Sequence, residues 1–327
     1  MLLPTNAPPL PRPSLPAPEP KTTQATAAPS APEAVVSSAS GLSSRADRIL
    51  RAQCALVRQG ISPGSLDGAL GGQTRAAIEA YFRRQGKITP GDSNGVAQLA
   101  LSLSVPLLAT YTVTSNDLAR LLPLSKTWLD KSQQARMDYE TILELVAERS
   151  QSHPNLIRQL NPGLDWTNLT AGATLRVPNA EFPMPGQKAG FVRIFLGART
   201  LEAFDENTNL LAHFPCSIAQ RVEKRPVGEL HVAVLAPNPN YTFDPEVFPE
   251  SAEARELGRK LILQPGPNNP VGTVWIGLDK PGYGIHGTPR PEEVGRTESH
   301  GCFRLANWNA EFLLRLISVG TPVYVEP

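Results

Sequence analysis

Beyond a proline-bearing stretch from Asn179 to Lys188, the chain changes from helical spacing of its apolar residues to short runs of strand formers. Phe191-Val-Arg-Ile-Phe-Leu196 and Thr200-Leu-Glu-Ala-Phe204 flank a Gly-Ala turn and read as a hairpin. The segments 231–235, 273–277 and 322–325 add further β-branched and aromatic runs. One helix is expected from about Ala306 to Ile317, turning Phe312, Leu313, Leu316 and Ile317 toward a core. Repeated short strands with few helices imply a mostly-β, sandwich-like domain over residues 189–327.

The opposite end of the chain has the reverse character. Residues 1–43 are rich in Pro, Ala, Ser and Thr and nearly lack aromatics. Such a segment buries too little apolar surface to offset its conformational entropy, so it is expected to be a disordered tether, with a proline-rich ligand for a partner as the alternative. Order is expected near Ser44, where Ile49, Leu50, Gln53, Leu56 and Val57 recur at helical spacing and Gly60 is a natural stop. A Gly-rich turn, Asp67-Gly-Ala-Leu-Gly-Gly-Gln-Thr74, then leads into a second helix bearing Ile78, Tyr81 and Phe82, with Thr74 as candidate cap. From Tyr111 the texture becomes a short strand entry, helical stretches around 116–122 and 138–150, and a closing Leu175-Arg-Val-Pro178, interrupted by an insertion from Trp128 to Arg136. The expected organisation is α+β and multi-domain: 1–43, 44–105, 110–179 and 189–327.

Charge narrows the partners. With 31 Lys and Arg against 30 Asp and Glu, the net charge is +1, so no bulk attraction to nucleic acid or an anionic membrane is expected. No apolar run is long enough to span a bilayer, and the first residues lack the basic and continuous apolar regions of a signal peptide. The cysteines are Cys54, Cys216 and Cys302; a bridge between the first two and a pair of buried thiols both remain open.

The chemistry-bearing segment is Tyr283-Gly-Ile-His286-Gly287-Thr288-Pro, followed by Ser299-His300-Gly301-Cys302-Phe-Arg304. A thiol is only a few per cent ionised at neutral pH, so an imidazole must either take its proton or hold it as the thiolate. Backbone amides beside a glycine could stabilise an oxyanion during acyl transfer. Two other assignments compete. His286, His300 and Cys302 could hold zinc, though no further Cys or His lies at short spacing to complete a tetrahedral site. Cys302 could also be a small buried hydrophobe, with His286 a satisfied core histidine. His153, His213 and His231 stand alone among unrelated residues and suggest no chemistry.

The run from Asn269-Pro-Val-Gly-Thr-Val-Trp275 through Ile285-His-Gly-Thr288 to Ser299-His-Gly-Cys302 resembles the signature of bacterial L,D-transpeptidases, over roughly residues 189 to 327. The resemblance implies a peptidoglycan cross-linking enzyme without cofactor or metal, working through a cysteine acyl-enzyme. It implies Cys302 as nucleophile, His286 as general base and acid, the Gly287 carbonyl as orienter of the imidazole, and amides around Gly301 and Cys302 as the oxyanion hole. His300, Arg304, Ser299, Tyr283 and Trp275 would shape the pocket and contact the donor stem; Arg304 stands where some members carry Asn. Residues 45–92 are similar to small helical peptidoglycan-binding modules, and the segment from Tyr111 to Pro178 looks like an expanded LysM module. The implied partners are stem peptides and glycan strands, the implied inhibitors carbapenems, and the implied location the cell envelope. A hydrolase using the same acyl-enzyme and a non-catalytic wall-binding protein are the alternatives.

Overall fold

The computed structural model describes residues 40–247, 252–297 and 301–327. Nearly all of the expected tether, together with Ser299 and His300, lies outside the described residues. Among these, no helix is long and apolar enough to cross a membrane.

Helix α1 (Ser44–Val57) starts at Ser43, whose side chain accepts from the Ala46 amide, and buries Ile49, Leu50, Gln53, Leu56 and Val57. Helix α2 (Gly72–Arg84) packs Ile78 and Phe82 against it, with α3 (Asp92–Ser102) completing a helical cluster. Thr74 does not cap α2. The helix begins earlier, with Gly71 at the N-cap position, and the Thr74 hydroxyl turns inward to Ala69 O and to the buried Gln53 amide. Gln53 is the hub here: its Oε1 accepts from the Asp67 and Gly68 amides while its Nε2 donates to Asp67 Oδ1.

Strand β1 (Leu108–Thr112) pairs antiparallel with the later β2 (Thr174–Pro178), enclosing α4 (Ser115–Ala119), α5 (Trp128–Gln133), α6 (Ile142–Arg149) and α7 (Pro154–Leu160). Capping boxes at Thr114 with Asp117 and at Thr141 with Glu144 start α4 and α6. Tyr139, Ile142, Leu145, Val146, Ile157 and Leu175 form a core for this unit.

The C-terminal segment builds one eight-stranded sheet in the order β11-β10-β9-β6-β12-β3-β4-β5. Its strands are β3 (Phe191–Phe195), β4 (Thr200–Phe204), β5 (Leu210–Pro215), β6 (Gly228–Pro237), β9 (Val274–Leu278), β10 (Gly284–His286), β11 (Phe303–Arg304) and β12 (Pro322–Glu326). The β3–β4 hairpin pairs Phe195 with Thr200, as expected. The domain is mostly β, and its layers come from one sheet that curls. Ser217, just past edge strand β5, exchanges two backbone bonds of 2.9 Å with Arg304 of the opposite edge strand β11. Val192, Leu201, Phe214, Ile276, Ile285, Phe303 and Val325 fill the inner face together with Phe312 and Leu316 of α9 (Asn307–Leu316).

Two further strands, β7 (Tyr241–Phe243) and β8 (Leu261–Leu263), form an antiparallel arm linked by a segment that includes α8 (Ala252–Leu257). The Trp128–Arg136 insertion finds its role against this arm. Trp128 of α5 stacks on Phe243 with centroids 4.3 Å apart, and Met137, Leu261 and Leu263 join the same cluster. The helical cluster is stitched to the sheet in turn, the Ser62 amide donating to His213 O at 2.8 Å and that of His213 to Gly60 O at 3.2 Å. On its other side, the Leu66 amide donates to Gln151 O at 2.9 Å.

Candidate active site

Strand register sets the site. β10 pairs parallel with β11, Ile285 opposite Phe303 and His286 opposite Arg304, and antiparallel with β9, His286 opposite Trp275 and Gly284 opposite Gly277. Side chains alternate across a sheet, and paired residues share a face. Ile276, Ile285 and Phe303 therefore point into the core, and Trp275, His286 and Arg304 project from the other face. Cys302, immediately before β11, is half-buried beside Gly284.

The candidate base and nucleophile are held by short local contacts. His286 is buried, and its Nδ1 lies 2.6 Å from the carbonyl of Gly287. A carbonyl can only accept, so Nδ1 carries the proton and Nε2 is left with its lone pair. Burial, with the Arg304 charge acting in the same direction, pushes the imidazole down to about 4, so His286 is neutral at physiological pH. The Cys302 sulfur reaches the Gly282 carbonyl at 3.6 Å. Burial raises the thiol, while the Gly284 backbone donor and the Arg304 charge pull it back toward ionisation. Arg304 thus favours thiolate and disfavours imidazolium.

Trp275 stacks on His286, with ring centroids 5.7 Å apart at 24°. Its indole also roofs Gly284, where an added Cβ would sit 2.6 Å from the ring. Tyr283 lies elsewhere: it packs against the core cluster, with Lys280 Nζ 4.9 Å from its ring centroid. An added Cβ at Gly301 meets no described atom within 4 Å.

Several contributors have no motif to announce them. Asn307, at the start of α9, accepts on Oδ1 from the Thr288 amide at 2.9 Å and the Thr273 amide at 3.2 Å. Those bonds fix the turn after His286, and Gly287 leaves room for them, since a Cβ there would meet Asn307 Oδ1 at 2.1 Å. Tyr241 on the β7 arm is pushed up to about 12, first by burial and then by the Cys302 charge. A cleft of about 570 Å³ runs from Arg304 and Thr288 to α5 and α6, with Glu144, Glu148, Glu292 and Glu293 among its walls.

Cys54 and Cys216 are unbridged and buried in different clusters, and burial raises each thiol to about 12. Both are inert packing residues. Among the described residues no cluster of three His, Cys, Asp or Glu side chains is placed to hold a metal.

Residues 189–325 match the family model of the YkuD L,D-transpeptidase catalytic domain. The L,D-transpeptidase YqjB of Bacillus subtilis is 33% identical over 155 residues, covering 45% of this chain and 76% of that protein. The chain belongs to the L,D-transpeptidase family. A second relative, L,D-transpeptidase YkuD of Bacillus licheniformis, is 26% identical over 187 residues, covering 57% of the chain and 93% of the relative. L,D-transpeptidase 3 from Mycobacterium tuberculosis, solved with a faropenem-derived adduct, overlaps 49% of this chain and 76% of its own at 16% identity and a TM-score of 0.33. This member of the family is accordingly an enzyme, with its catalytic domain in the curled sheet.

Proposed function

We infer that the protein acylates Cys302 on a peptidoglycan tetrapeptide stem and passes the acyl group to an amine on a neighbouring stem. The observation that carries this reading is the pairing of β10 with β11, which puts His286 opposite Arg304, two residues after Cys302, with His286 Nδ1 held on the Gly287 carbonyl. In the first half-reaction Nε2 takes the thiol proton as sulfur attacks the carbonyl of the L-to-D bond. The C–N bond then breaks, and the terminal D-residue leaves with the proton returned by His286. In the second, the acceptor amine attacks the thioester, losing its proton to His286, and the thiol is restored.

Amides near Gly301 and Cys302 would serve the oxyanion. Arg304 tunes both reacting groups and, with Trp275, borders the donor pocket; Ser299 and His300 are assigned to the same pocket on the family pattern alone. The helical unit at 44–105 and the unit at 110–179 are read as wall-binding modules, the second LysM-like, with action in the cell envelope. Carbapenems should acylate the same sulfur.

The test is mass spectrometry of products from defined tetrapeptide muropeptides, with and without Cys302→Ala. A cross-linked dimer lacking one terminal D-residue, absent with the variant, is expected. Release of the D-residue with only tripeptide product would assign a hydrolase instead, and unchanged muropeptides would refute both.

A further inference from the structure

The proton on His286 Nδ1 depends on a single peptide group. The Gly287–Thr288 peptide turns its carbonyl to Nδ1 at 2.6 Å, and that bond sets which imidazole nitrogen carries the proton. Gly287 has no side chain to limit rotation of the peptide that follows it, so the carbonyl needs a hold from outside the turn. The hold is at the other end of the same peptide, where the Thr288 N–H donates to Asn307 Oδ1 at 2.9 Å. Asn307 thus grips by the N–H the group that His286 binds by the C=O. A hydrogen bond at the N–H also polarises the carbonyl and makes it a better acceptor. A Cβ at Gly287 would run into Asn307 Oδ1, so the bare turn and the asparagine fit each other.

Asn307 is 1% exposed, and its side chain is engaged at both ends. Oδ1 accepts from the Thr273 and Thr288 amides, while Nδ2 donates to Glu148 Oε1 at 3.0 Å and to Pro267 O at 3.3 Å. A reversed amide would set its NH2 against two N–H groups and its oxygen against the Pro267 carbonyl. The partners therefore fix the orientation that puts oxygen on the Thr288 amide. Glu148 supplies the shorter of the two bonds at the NH2 end, and it comes from α6 of the unit at 110–179.

We propose that Asn307 is the positioning residue of His286, selecting the Nδ1–H tautomer through the Gly287–Thr288 peptide, and that Glu148 brings the preceding unit into the same task. The inference rests on the reading of His286 as the base of the reaction, since only that tautomer leaves Nε2 free to take a proton.

The experiment is a tautomer measurement on the full chain without substrate, so its outcome stands apart from the choice of wall substrate. Proteins isotope-labelled in the histidine ring nitrogens are compared by NMR at pH 7, with the His286 signals assigned by their absence from His286→Gln. The unsubstituted protein should show the Nδ1–H form alone. Asn307→Ala, which frees the Thr288 amide, should populate both tautomers. Asn307→Asp keeps an oxygen for the Thr273 and Thr288 amides and should restore the Nδ1–H form. Burial holds the facing Glu148 at about 8, so its carboxyl is mostly protonated at pH 7 and tolerates the new carboxylate. Glu148→Leu, which removes the shorter bond to Nδ2, should give an Nε2–H fraction between those of the unsubstituted protein and Asn307→Ala. A merely structural role would lower thermal stability in Asn307→Ala and leave the tautomer as it was, and that result would overturn the proposal. If Asn307→Ala does not fold, loss of the Nδ1–H form in a folded Asn307→Asp overturns it instead. An unchanged spectrum in Glu148→Leu would remove the preceding unit from the assignment.

Discussion

Asn307 Nδ2 donates to Glu148 Oε1 across 3.0 Å, joining the helix that follows the candidate nucleophile to helix α6 of the preceding unit. The same Asn307 side chain holds the Thr273 and Thr288 amides, so the turn after His286 is braced from the neighbouring unit and from within its own domain. Tyr139 OH donates to the same Glu148 oxygen at 3.3 Å. The middle unit is therefore part of the support of the site as well as a candidate wall-binding element.

Burial raises Glu148 to about 8, above its ordinary value of 4.5. A group whose folded value is raised contributes stability that is full below its unfolded value and lost as pH climbs through the folded one. Stability should therefore decline between about pH 4.5 and 8 on account of this residue. Glu148→Gln keeps an acceptor for Asn307 and Tyr139 and removes the titration. Thermal unfolding should show the variant more stable at pH 8 by on the order of 1–3 kcal/mol and little changed at pH 4. An equal pH dependence in both proteins would count against the assignment.

The three thiols should react very unequally. Cys54 and Cys216 are buried and held near 12, whereas Cys302 is half-buried beside a backbone donor and an arginine. Native iodoacetamide labelling at pH 8 should modify the Cys302 peptide alone, with Cys302→Ala unlabelled until the protein is denatured. Mass mapping of tryptic peptides decides the matter.

Long elements were legible because each buries one periodic face: α1, α2, α9 and the β3–β4 hairpin follow their apolar spacing. Strands β10 and β11 have three and two residues, too few for an alternation to register, so the sheet edge that builds the site could be reached only through its motif. Thr74 has the chemistry of a cap, but a buried glutamine from α1 competes for its hydroxyl. The insertion at Trp128, the Tyr241 arm and Asn307 act through contacts between distant segments, which local patterns do not encode.

Because His286 is neutral above about pH 4, its removal takes no charge from Cys302 at pH 7. His286→Gln should therefore slow acylation by about 10²–10⁴-fold, the usual worth of general acid–base help, with the thiol titration nearly in place. Arg304→Gln should do the opposite, raising the apparent thiol value because the cation that favours thiolate is gone. Alkylation rate against pH separates them. A large shift in the histidine variant and none in the arginine variant would mean the pair rests as thiolate and imidazolium.

Gly284 is tightly constrained by its neighbours. A Cβ there would stand 2.6 Å from two Trp275 ring atoms and 2.9 Å from Ile276 O, a backbone atom between paired strands that cannot retreat. In Gly284→Ala the indole must leave its stack on His286, and the Gly284 amide must shift from the sulfur it helps to ionise. Overpacking of this kind costs about 1–3 kcal/mol, so a folded but less stable protein is expected. Its thiol should titrate higher than in the unsubstituted protein, and Trp275 fluorescence should report the displaced ring. Gly282→Ala is a poor control, because Gly282 has φ +80° and a side chain there is strained whatever the space. Gly301→Ala, which meets no described atom, is the better one and should leave stability and Trp275 emission unchanged. If Gly284→Ala matched that control in stability, fluorescence and thiol titration, the indole would not be seated over the sheet edge as described.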